Sequence, residues 1–272
     1  MIHSVTDFYN KLSSTYDNFE GHSYWEILYG EYNAWIKKHL DKQNLLLADL
    51  GCGTGLTSEL LLNQNNFVFG VDLTRQLLKT AKNRHTQRRF AVTEGDVTSL
   101  PFKDDTFEGI VCLDTLEHIP SIEKAISEIG RICKPGGTVL FDIPSSLILD
   151  FSYFIGYYGK SGLISALQSL SEKKVMYEWE SRNDERKPQK IKTYRYKFDF
   201  IDNLLKSHDF QIVEKKGVHI STMLIPEKIQ ANVSSPIISK INNKLIKLDN
   251  FFNKFPIMKN RALYMLYACK IN

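Results

Sequence analysis

The sequence predicts an α/β protein with an open, doubly wound sheet. Two observations carry this prediction. Short apolar runs alternate with stretches of helical periodicity, and a glycine-rich segment, DLGCGTG at residues 49–55, ends the first apolar run. The composition agrees, because 272 residues with 43% hydrophobic and 24% charged content bury a large core without disulfides. A disordered or collagen-like chain is excluded.

The first half of the chain predicts five strands separated by helices. The strands are predicted at residues 45–50, 67–71, 90–93, 107–113 and 138–141, and the helices at 54–62, 74–83 and 121–131. Strands separated by helical segments of about ten residues are typical of βαβ units. Right-handed crossovers between such strands build a doubly wound sheet.

Two insertions interrupt the second half of the predicted domain, which spans residues 45–272 behind an N-terminal helical lid at 1–44. Residues 144–192 are apolar and aromatic first and then charged, which we interpret as a helical lid followed by a solvated loop. The alternation resumes with a helix at 198–207 and strands at 210–216 and 262–269. The second insertion, residues 220–258, lies between these two strands.

The second insertion contains an amphipathic helical pattern. Its apolar residues recur at spacings of 3, 4, 3 and 4 and are Ile238, Ile241, Leu245, Leu248 and Phe252. Residues 220–272 carry a net charge of +6, from eight Lys or Arg and two Asp or Glu, so the rest of the chain carries 4 − 6 = −2. Two interpretations remain open. The helix packs on the core with a solvated basic side, or residues 238–254 make weak contact with an anionic membrane surface or an anionic substrate.

Several function classes are not favoured by the composition. A net charge of +4 is too weak to indicate nucleic-acid binding. The cysteines Cys52, Cys112, Cys133 and Cys269 have spacings that suit neither a zinc site nor a disulfide framework, so we expect reduced thiols and no metal. The first residues do not resemble a secretory signal, and no apolar run is long enough to span a bilayer. These features predict a cytoplasmic protein.

The glycine-rich loop distinguishes two kinds of ligand. A dinucleotide fingerprint needs a third glycine where Leu56 stands. Asp49, two residues before Gly51, is a poor neighbour for a pyrophosphate and a good one for an ammonium or sulfonium group. Asp72 ends the second strand, where an acidic side chain accepts hydrogen bonds from ribose hydroxyls. Asp96 follows the third strand and suits either an adenine amine or a helix cap.

These residues together resemble the class I S-adenosylmethionine-dependent methyltransferases, and within them the small-molecule group that includes the ubiquinone and menaquinone methyltransferases. The resemblance covers residues 45–143 and the last two strands. Its motifs are DLGCGTG at 49–55, VD at 71–72, GD at 95–96, LPF at 100–102, FEGIV at 107–111, LEH at 116–118 and KPGG at 134–137.

The resemblance implies a Rossmann-like, seven-stranded sheet with an antiparallel last strand. It also implies that the glycine loop holds the methionine part of the cofactor, Asp72 the ribose and Asp96 the adenine. Tyr16, in LSSTYD at 12–17, would close over the cofactor. The implied cofactor-binding residues are Tyr16, Asp49, Gly51, Cys52, Gly53, Gly55, Asp72, Leu73, Asp96, Val97 and Leu113.

Methyl transfer to a hydroxyl or an ammonium also needs a proton acceptor. The candidates near the carboxyl ends of strands are Asp114, His118 and His219, each of which also suits a structural role. We expect a small organic acceptor, with oxygen ahead of nitrogen or carbon. The alternatives are a lipid or quinone acceptor reached at the membrane surface, a nicotinamide oxidoreductase and a catalytically silent cofactor-binding protein. The family's tetrapeptide for amino groups of nucleic-acid bases is absent after the fourth strand, so no nucleic acid is expected as partner.

Overall fold

A seven-stranded sheet and a separate hairpin form the β structure of the computed structural model, which describes residues 4–13, 16–17, 23–86, 89–146, 172–181, 189–222 and 236–272. The strands are β1 Leu46–Leu50, β2 Phe67–Asp72, β3 Phe90–Glu94, β4 Phe107–Cys112, β5 Cys133–Pro144, β6 Lys174–Ser181, β7 Gln189–Tyr196, β8 Phe210–Val218 and β9 Tyr264–Ile271. The helices are α1 Val5–Leu12, α2 Ser23–His39, α3 Leu56–Leu62, α4 Arg75–Arg84, α5 Ile122–Ile132, α6 Phe198–Ser207, α7 Pro236–Phe252 and α8 Pro256–Lys259, with a 3-10 turn at Leu116–His118.

The strand order confirms the predicted topology. The sheet runs β3-β2-β1-β4-β5-β9-β8, and β9 is antiparallel to both of its neighbours while the other pairs are parallel. The chain leaves β1 towards β3 and returns to place β4 on the other side of β1. This reversal opens a crevice at the carboxyl ends of β1 and β4, where doubly wound sheets bind their ligands.

Helices cover both faces of the sheet. Ala48 and Leu50 of β1 pack in one apolar cluster with α5, whereas Leu47 packs in the other cluster with α2. Because successive side chains of a strand point to opposite faces, β1 is buried on both sides, as its nearly continuous apolar sequence predicts. The carboxyl edge is therefore the part of these strands that a ligand reaches.

The first insertion differs from the prediction where the structure describes it. The solvated loop predicted up to residue 192 is wrong, because β6 and β7 form an antiparallel hairpin. Ile191 of this hairpin is fully buried against Phe8 and Leu12 of α1. Most of the predicted helical lid, residues 147–171, lies outside the described residues.

The second insertion contains the predicted helix, α7, but the side of it that faces the protein is only partly the predicted one. Asn242 and Asp249 are buried, whereas Ile241 and Leu248 are 42% and 38% exposed. The carboxylate of Asp249 accepts hydrogen bonds from the backbone N–H groups of Ile220, at 3.0 Å, and Ser221, at 2.6 Å. The predicted packing face is therefore wrong for Ile241 and Leu248, whereas Leu245 and Phe252 of the same face are partly buried.

None of the helices in the described ranges is long and apolar enough to cross a membrane.

The contacts of Asp249 predict a large contribution to stability. In an Asp249→Ala variant, two buried N–H groups and the Ser221 hydroxyl lose their acceptor, and each unsatisfied buried group costs roughly 1–3 kcal/mol. We expect the free energy of unfolding, measured by urea denaturation, to fall by at least about 2 kcal/mol. Asn250→Ala, an exposed neighbour on the same helix, is the matched control. Equal effects of the two substitutions would contradict the assignment.

Candidate active site

The glycine loop after β1 is fixed to the end of β2. The N–H groups of Gly51 and Cys52 both donate to the carbonyl of Val71, at 2.7 and 3.0 Å. Gly51 has a φ of +73°, and a Cβ there would lie 2.0 Å from the hydroxyl oxygen of Thr115. Only glycine fits this position, because it tolerates the left-handed backbone and leaves room for the loop after β4.

Asp72 connects the loop to the start of α4. One carboxylate oxygen accepts from the N–H of Gly53 at 3.0 Å, and the other accepts from the N–H of Thr74 at 2.7 Å. Burial raises the pKa of this carboxyl group, and the two backbone donors oppose the shift. The side chain is thus held in place at the mouth of the crevice.

A cleft opens beside this loop. Nine residues that the sequence predicted line it: Tyr16, Gly51, Gly53, Asp72, Leu73, Asp96, Val97, Asp114 and His118. The sequence reasoning missed seven further lining residues: Val5, Tyr9, Thr74, Leu77, Gly95, Thr115 and Ile119.

The charge of the cleft is one-sided. Asp72, Asp96 and Asp114 line it, and the described lining residues include no Lys or Arg. A carboxylate oxygen of Asp96 accepts from both the N–H and the hydroxyl of Thr98, at 2.8 Å each, which fixes the orientation of the carboxylate. This surface suits a cationic ligand and is a poor environment for a pyrophosphate.

Four predicted cofactor residues lie behind the cleft surface rather than on it. Asp49 is 2% exposed and accepts a 2.6 Å hydrogen bond from the Ser58 hydroxyl. Burial raises its pKa to about 7. Cys52, Gly55 and Leu113 belong to the same loop and strand ends but do not line the cleft. A direct contact of these four residues with the cofactor stays a prediction.

Tyr16 lies over the glycine loop. The nearest atom of its ring is 3.6 Å from the position that a Cβ on Gly53 would take. Asp17 holds this segment down, because its carboxylate accepts from the Thr54 hydroxyl at 2.6 Å and pairs with Arg84 of α4. Arg84 also donates to the carbonyl of Thr54 at 2.9 Å. We call this arrangement the Asp17–Arg84 clasp.

His118 and Tyr9 also line the cleft and contact each other. The Nε2 of His118 is 2.7 Å from the Tyr9 hydroxyl, and the Tyr9 ring stands edge-on to both His118 and Tyr16. Burial lowers the pKa of His118 to about 4, so the imidazole is neutral at pH 7. No sequence motif marks Tyr9, which is why the sequence did not single it out.

Three acidic side chains near His118 form a buried, hydrogen-bonded group: Asp114, Glu117 and Asp142. The N–H of Asp114 donates to Asp142 at 2.8 Å, and the Asp114 carboxyl group is hydrogen-bonded to that of Glu117. Tyr32 donates to the other oxygen of Asp142 at 2.8 Å. Burial raises the pKa of all three acids, to about 7 for Asp142.

His219, the third predicted proton acceptor, is not brought to the cleft. It is 1% exposed, stacks on Tyr24 at 4.3 Å between ring centroids, and its Nδ1 lies 2.6 Å from the Thr222 hydroxyl. Burial lowers its pKa to about 3. In this structure the residue packs at the end of β8, and a part in proton transfer stays a prediction.

Comparison with known proteins places the glycine loop and the strands around it in a recognised domain. A family described as "Methyltransferase domain" matches residues 48–141. An uncharacterized protein of Methanocaldococcus jannaschii is 27% identical over 80% of this chain and 80% of its own length. A ubiquinone biosynthesis O-methyltransferase of Coxiella burnetii is 31% identical over 39% of this chain, which spans about half (47%) of that relative.

Solved structures share the fold of the whole chain at low sequence identity. The phosphoethanolamine N-methyltransferase 2 of Haemonchus contortus, solved with S-adenosyl-L-methionine, superposes with a TM-score of 0.60 at 18% identity, over 99% of this chain and 60% of its own. The cyclase SpnF superposes with a TM-score of 0.62 at 14% identity, over 98% of this chain and 95% of its own. At these identities the likeness concerns the fold alone.

The clasp predicts a loss of cofactor affinity when Arg84 is replaced. Arg84→Met removes the ion-pair partner of Asp17 and leaves the segment of Tyr16 held by the Thr54 hydrogen bond alone on this side. We expect the affinity for S-adenosylmethionine, measured by isothermal titration, to fall about 5- to 10-fold, the worth of one partly buried ion pair. Arg75→Met removes the exposed pair with Glu94 on the same helix and is the control. An unchanged affinity in Arg84→Met would argue against the clasp.

Asp49 predicts a pH dependence of stability. Its folded pKa of about 7 exceeds the value of about 3.9 expected in the unfolded chain, so its stabilising contribution is present below about pH 4 and is lost as the pH rises through 7. Asp49→Asn keeps an acceptor for Ser58 without the charge. We expect the difference in melting temperature, variant minus wild type, to increase from pH 5 to pH 8. The exposed Asp41→Asn is the control, and a difference that does not change with pH would refute the linkage.

Proposed function

We propose that this chain, which belongs to the class I S-adenosylmethionine-dependent methyltransferases, binds S-adenosylmethionine in the cleft and transfers its methyl group to a small organic acceptor. The observation that carries the proposal is the set of three acidic side chains in a cleft whose described lining contains no Lys or Arg. The matched domain at residues 48–141 supports it, because that range supplies most of the same cleft.

The residues of the cleft fit this cofactor. When bound, S-adenosylmethionine supplies an electrophilic methyl group on a positively charged sulfur, which an acceptor displaces in line. The carboxylate of Asp72 is already held by two backbone donors and by the side chain of Thr74, and it keeps acceptor capacity for a ribose hydroxyl. Asp96, next to the buried Val97, offers an acceptor to the adenine amine.

Tyr16 and the clasp would exclude water from the bound cofactor. The ring covers Gly53, and the clasp ties the segment before α2 to α4. A closed, low-dielectric cleft strengthens the attraction between the acids and a sulfonium. Tyr16 therefore acts in this proposal as a positioning residue for the methionine part of the cofactor.

Methyl transfer to a hydroxyl group needs a side chain that removes the proton of that hydroxyl. Asp114 and His118 line the cleft and His219 does not. Burial raises the pKa of Asp114 and lowers that of His118 to about 4. A raised pKa makes a carboxylate a stronger base and a lowered pKa makes an imidazole a weaker one, so we assign the role to Asp114, whose carboxyl group is hydrogen-bonded to that of Glu117.

For the acceptor itself we retain an oxygen atom ahead of nitrogen or carbon. The name of the Coxiella burnetii relative, a ubiquinone biosynthesis O-methyltransferase, supports this choice. A second relative, from Nostoc punctiforme, is named 2-phytyl-1,4-naphtoquinone methyltransferase and is 30% identical over 56% of this chain. Both names favour an aromatic quinone or quinol as the second candidate acceptor. Such an acceptor is apolar and resides in membranes.

Two alternatives make different predictions for the same cleft. A nicotinamide oxidoreductase would need a pyrophosphate beside Asp72 and Asp96, which the acids disfavour. A catalytically silent protein would bind S-adenosylmethionine without consuming it, and the fold of the cyclase SpnF shows that this architecture occurs in a protein named for a different reaction. Release of S-adenosylhomocysteine in the presence of quinols and catechols separates methyl transfer from the silent alternative.

Isothermal titration tests the cofactor assignment. We expect S-adenosylmethionine to bind and NAD not to bind. Asp72→Ala should weaken binding by roughly 1.5–3 kcal/mol for each charge-assisted hydrogen bond that is lost, which is at least about tenfold. Asp41→Ala, an exposed acid outside the cleft, is the control, and thermal unfolding verifies that both variants are folded. Tight binding of NAD, or wild-type affinity in Asp72→Ala, would refute the assignment.

A further inference from the structure

The outer side of α7 and α8 presents an apolar surface to solvent. Five large side chains on it are between 38% and 75% exposed: Ile241, Leu248, Phe251, Phe255 and Ile257. Ile241 and Leu248 lie two turns apart on one side of α7, and the rings of Phe251 and Phe255 are in edge-to-face contact at 5.2 Å. We call these five residues the α7–α8 surface. Exposed apolar residues grouped in this way indicate an interaction site, whereas single ones do not.

Basic residues accompany the α7–α8 surface. Lys240, Lys244, Lys247 and Lys254 are exposed along the same helix and the turn that follows it. Residues 236–261 contain six Lys or Arg and one acid, a net of +5, which leaves 4 − 5 = −1 for the rest of the chain. The one acid, Asp249, is buried and bonded inward. The charges that α7 exposes are therefore all positive.

The outward orientation of the apolar side is fixed by specific contacts. Asp249 binds the backbone of Ile220 and Ser221, and Asn253 both donates to the carbonyl of Gly217 and accepts from its N–H. Rotating α7 to bury Ile241 and Leu248 would break these hydrogen bonds. The exposed surface is thus a built feature of the fold.

We propose that the α7–α8 surface docks on the face of an anionic lipid bilayer. An interfacial helix buries its apolar side at the boundary of headgroups and acyl chains, while lysines reach the anionic headgroups. An anionic bilayer would bury the exposed apolar side chains and neutralise the lysines at the same time. A second copy of the chain would bring two segments of +5 against each other, and a nucleic acid would leave Leu248 and Ile257 in water.

Docking would bring the cleft near the membrane. Asp249 and Asn253 attach α7 to residues 217–221 at the carboxyl end of β8. The carboxyl ends of β1 and β4, where the cleft lies, are on the same side of the sheet. An apolar acceptor dissolved in the bilayer would then reach the cleft from that side. This consequence rests on the proposed function, whereas the docking does not.

Co-sedimentation with lipid vesicles tests the docking without cofactor or acceptor. The probes are vesicles of phosphatidylcholine alone and vesicles with about one quarter phosphatidylglycerol, each at about 0.1 and about 0.5 M salt. We expect binding to the anionic vesicles at low salt, with a loss of at least about tenfold in affinity at high salt. Equal binding to both vesicle types, or to neither, overturns the proposal.

Matched variants separate the surface from general charge. Lys244→Glu/Lys247→Glu should lower the affinity for anionic vesicles by about tenfold or more, whereas Lys42→Glu/Lys124→Glu, exposed elsewhere with the same charge change, should leave most of it. Phe251→Ser/Ile257→Ser should weaken binding too, and Val213→Ser, 55% exposed on β8, should not. Equal losses in test and control variants contradict the proposal.

A dimer is the remaining alternative and is measured separately. Sedimentation velocity of the wild type is expected to show no dimer that Phe251→Ser/Ile257→Ser dissociates. Such a dimer would assign the α7–α8 surface to a second copy and overturn membrane docking. Binding of S-adenosylmethionine to the same preparations reports on the proposed function, so a failure of one proposal is distinguishable from a failure of the other.

Discussion

The carboxylate of Asp72 joins the two backbone segments that form the mouth of the cleft. It accepts hydrogen bonds from the N–H of Gly53 in the loop after β1 and from the N–H of Thr74 at the start of α4. The same loop is also hydrogen-bonded to the carbonyl of Val71. Tyr16 and the Asp17–Arg84 clasp rest on that loop in turn. Because a carboxylate has about four lone pairs, Asp72 organises the backbone and still offers acceptors to a ligand.

Local sequence patterns were sufficient to predict the sheet. β1, β2 and β4 are short apolar runs followed by turn residues. Parallel strands have this pattern because helices bury them on both faces. The β6–β7 hairpin was not predictable in this way. Its core residue Ile191 is buried against α1, so its environment depends on a segment far away in sequence. For α7 the apolar periodicity predicted the helix correctly but not the exposure of Ile241 and Leu248, because the buried hydrogen bonds of Asp249 lie on a side of the helix that the pattern does not mark.

In the candidate site, too, the features set by local sequence were predictable and those set by contacts distant in sequence were not. The glycines and Asp72 were predictable because backbone geometry and strand ends fix them, and the motif around Tyr16 placed that ring near the loop. Tyr9 and Arg84 were not, because they meet partners 109 and 67 residues away and carry no local signature. Asp49 shows a further limit. The sequence locates an acid before the loop but not whether its carboxyl group faces the ligand or, as here, Ser58.

The buried acids beside His118 bear on how the site handles a proton. Burial raises the pKa of Asp114, Glu117 and Asp142, and repulsion from Asp114 adds to the shift of the other two. A shared proton between Asp114 and Glu117 keeps the wall of the cleft from carrying its full formal charge, while Tyr32 stabilises Asp142. Burial raises the pKa of Asp114 and of Glu117, which makes their carboxylates stronger bases, whereas burial lowers the pKa of His118 to about 4 and makes its imidazole a weaker one. Proton transfer from an acceptor therefore fits the acids of the loop after β4 better than the histidine that the sequence makes more conspicuous.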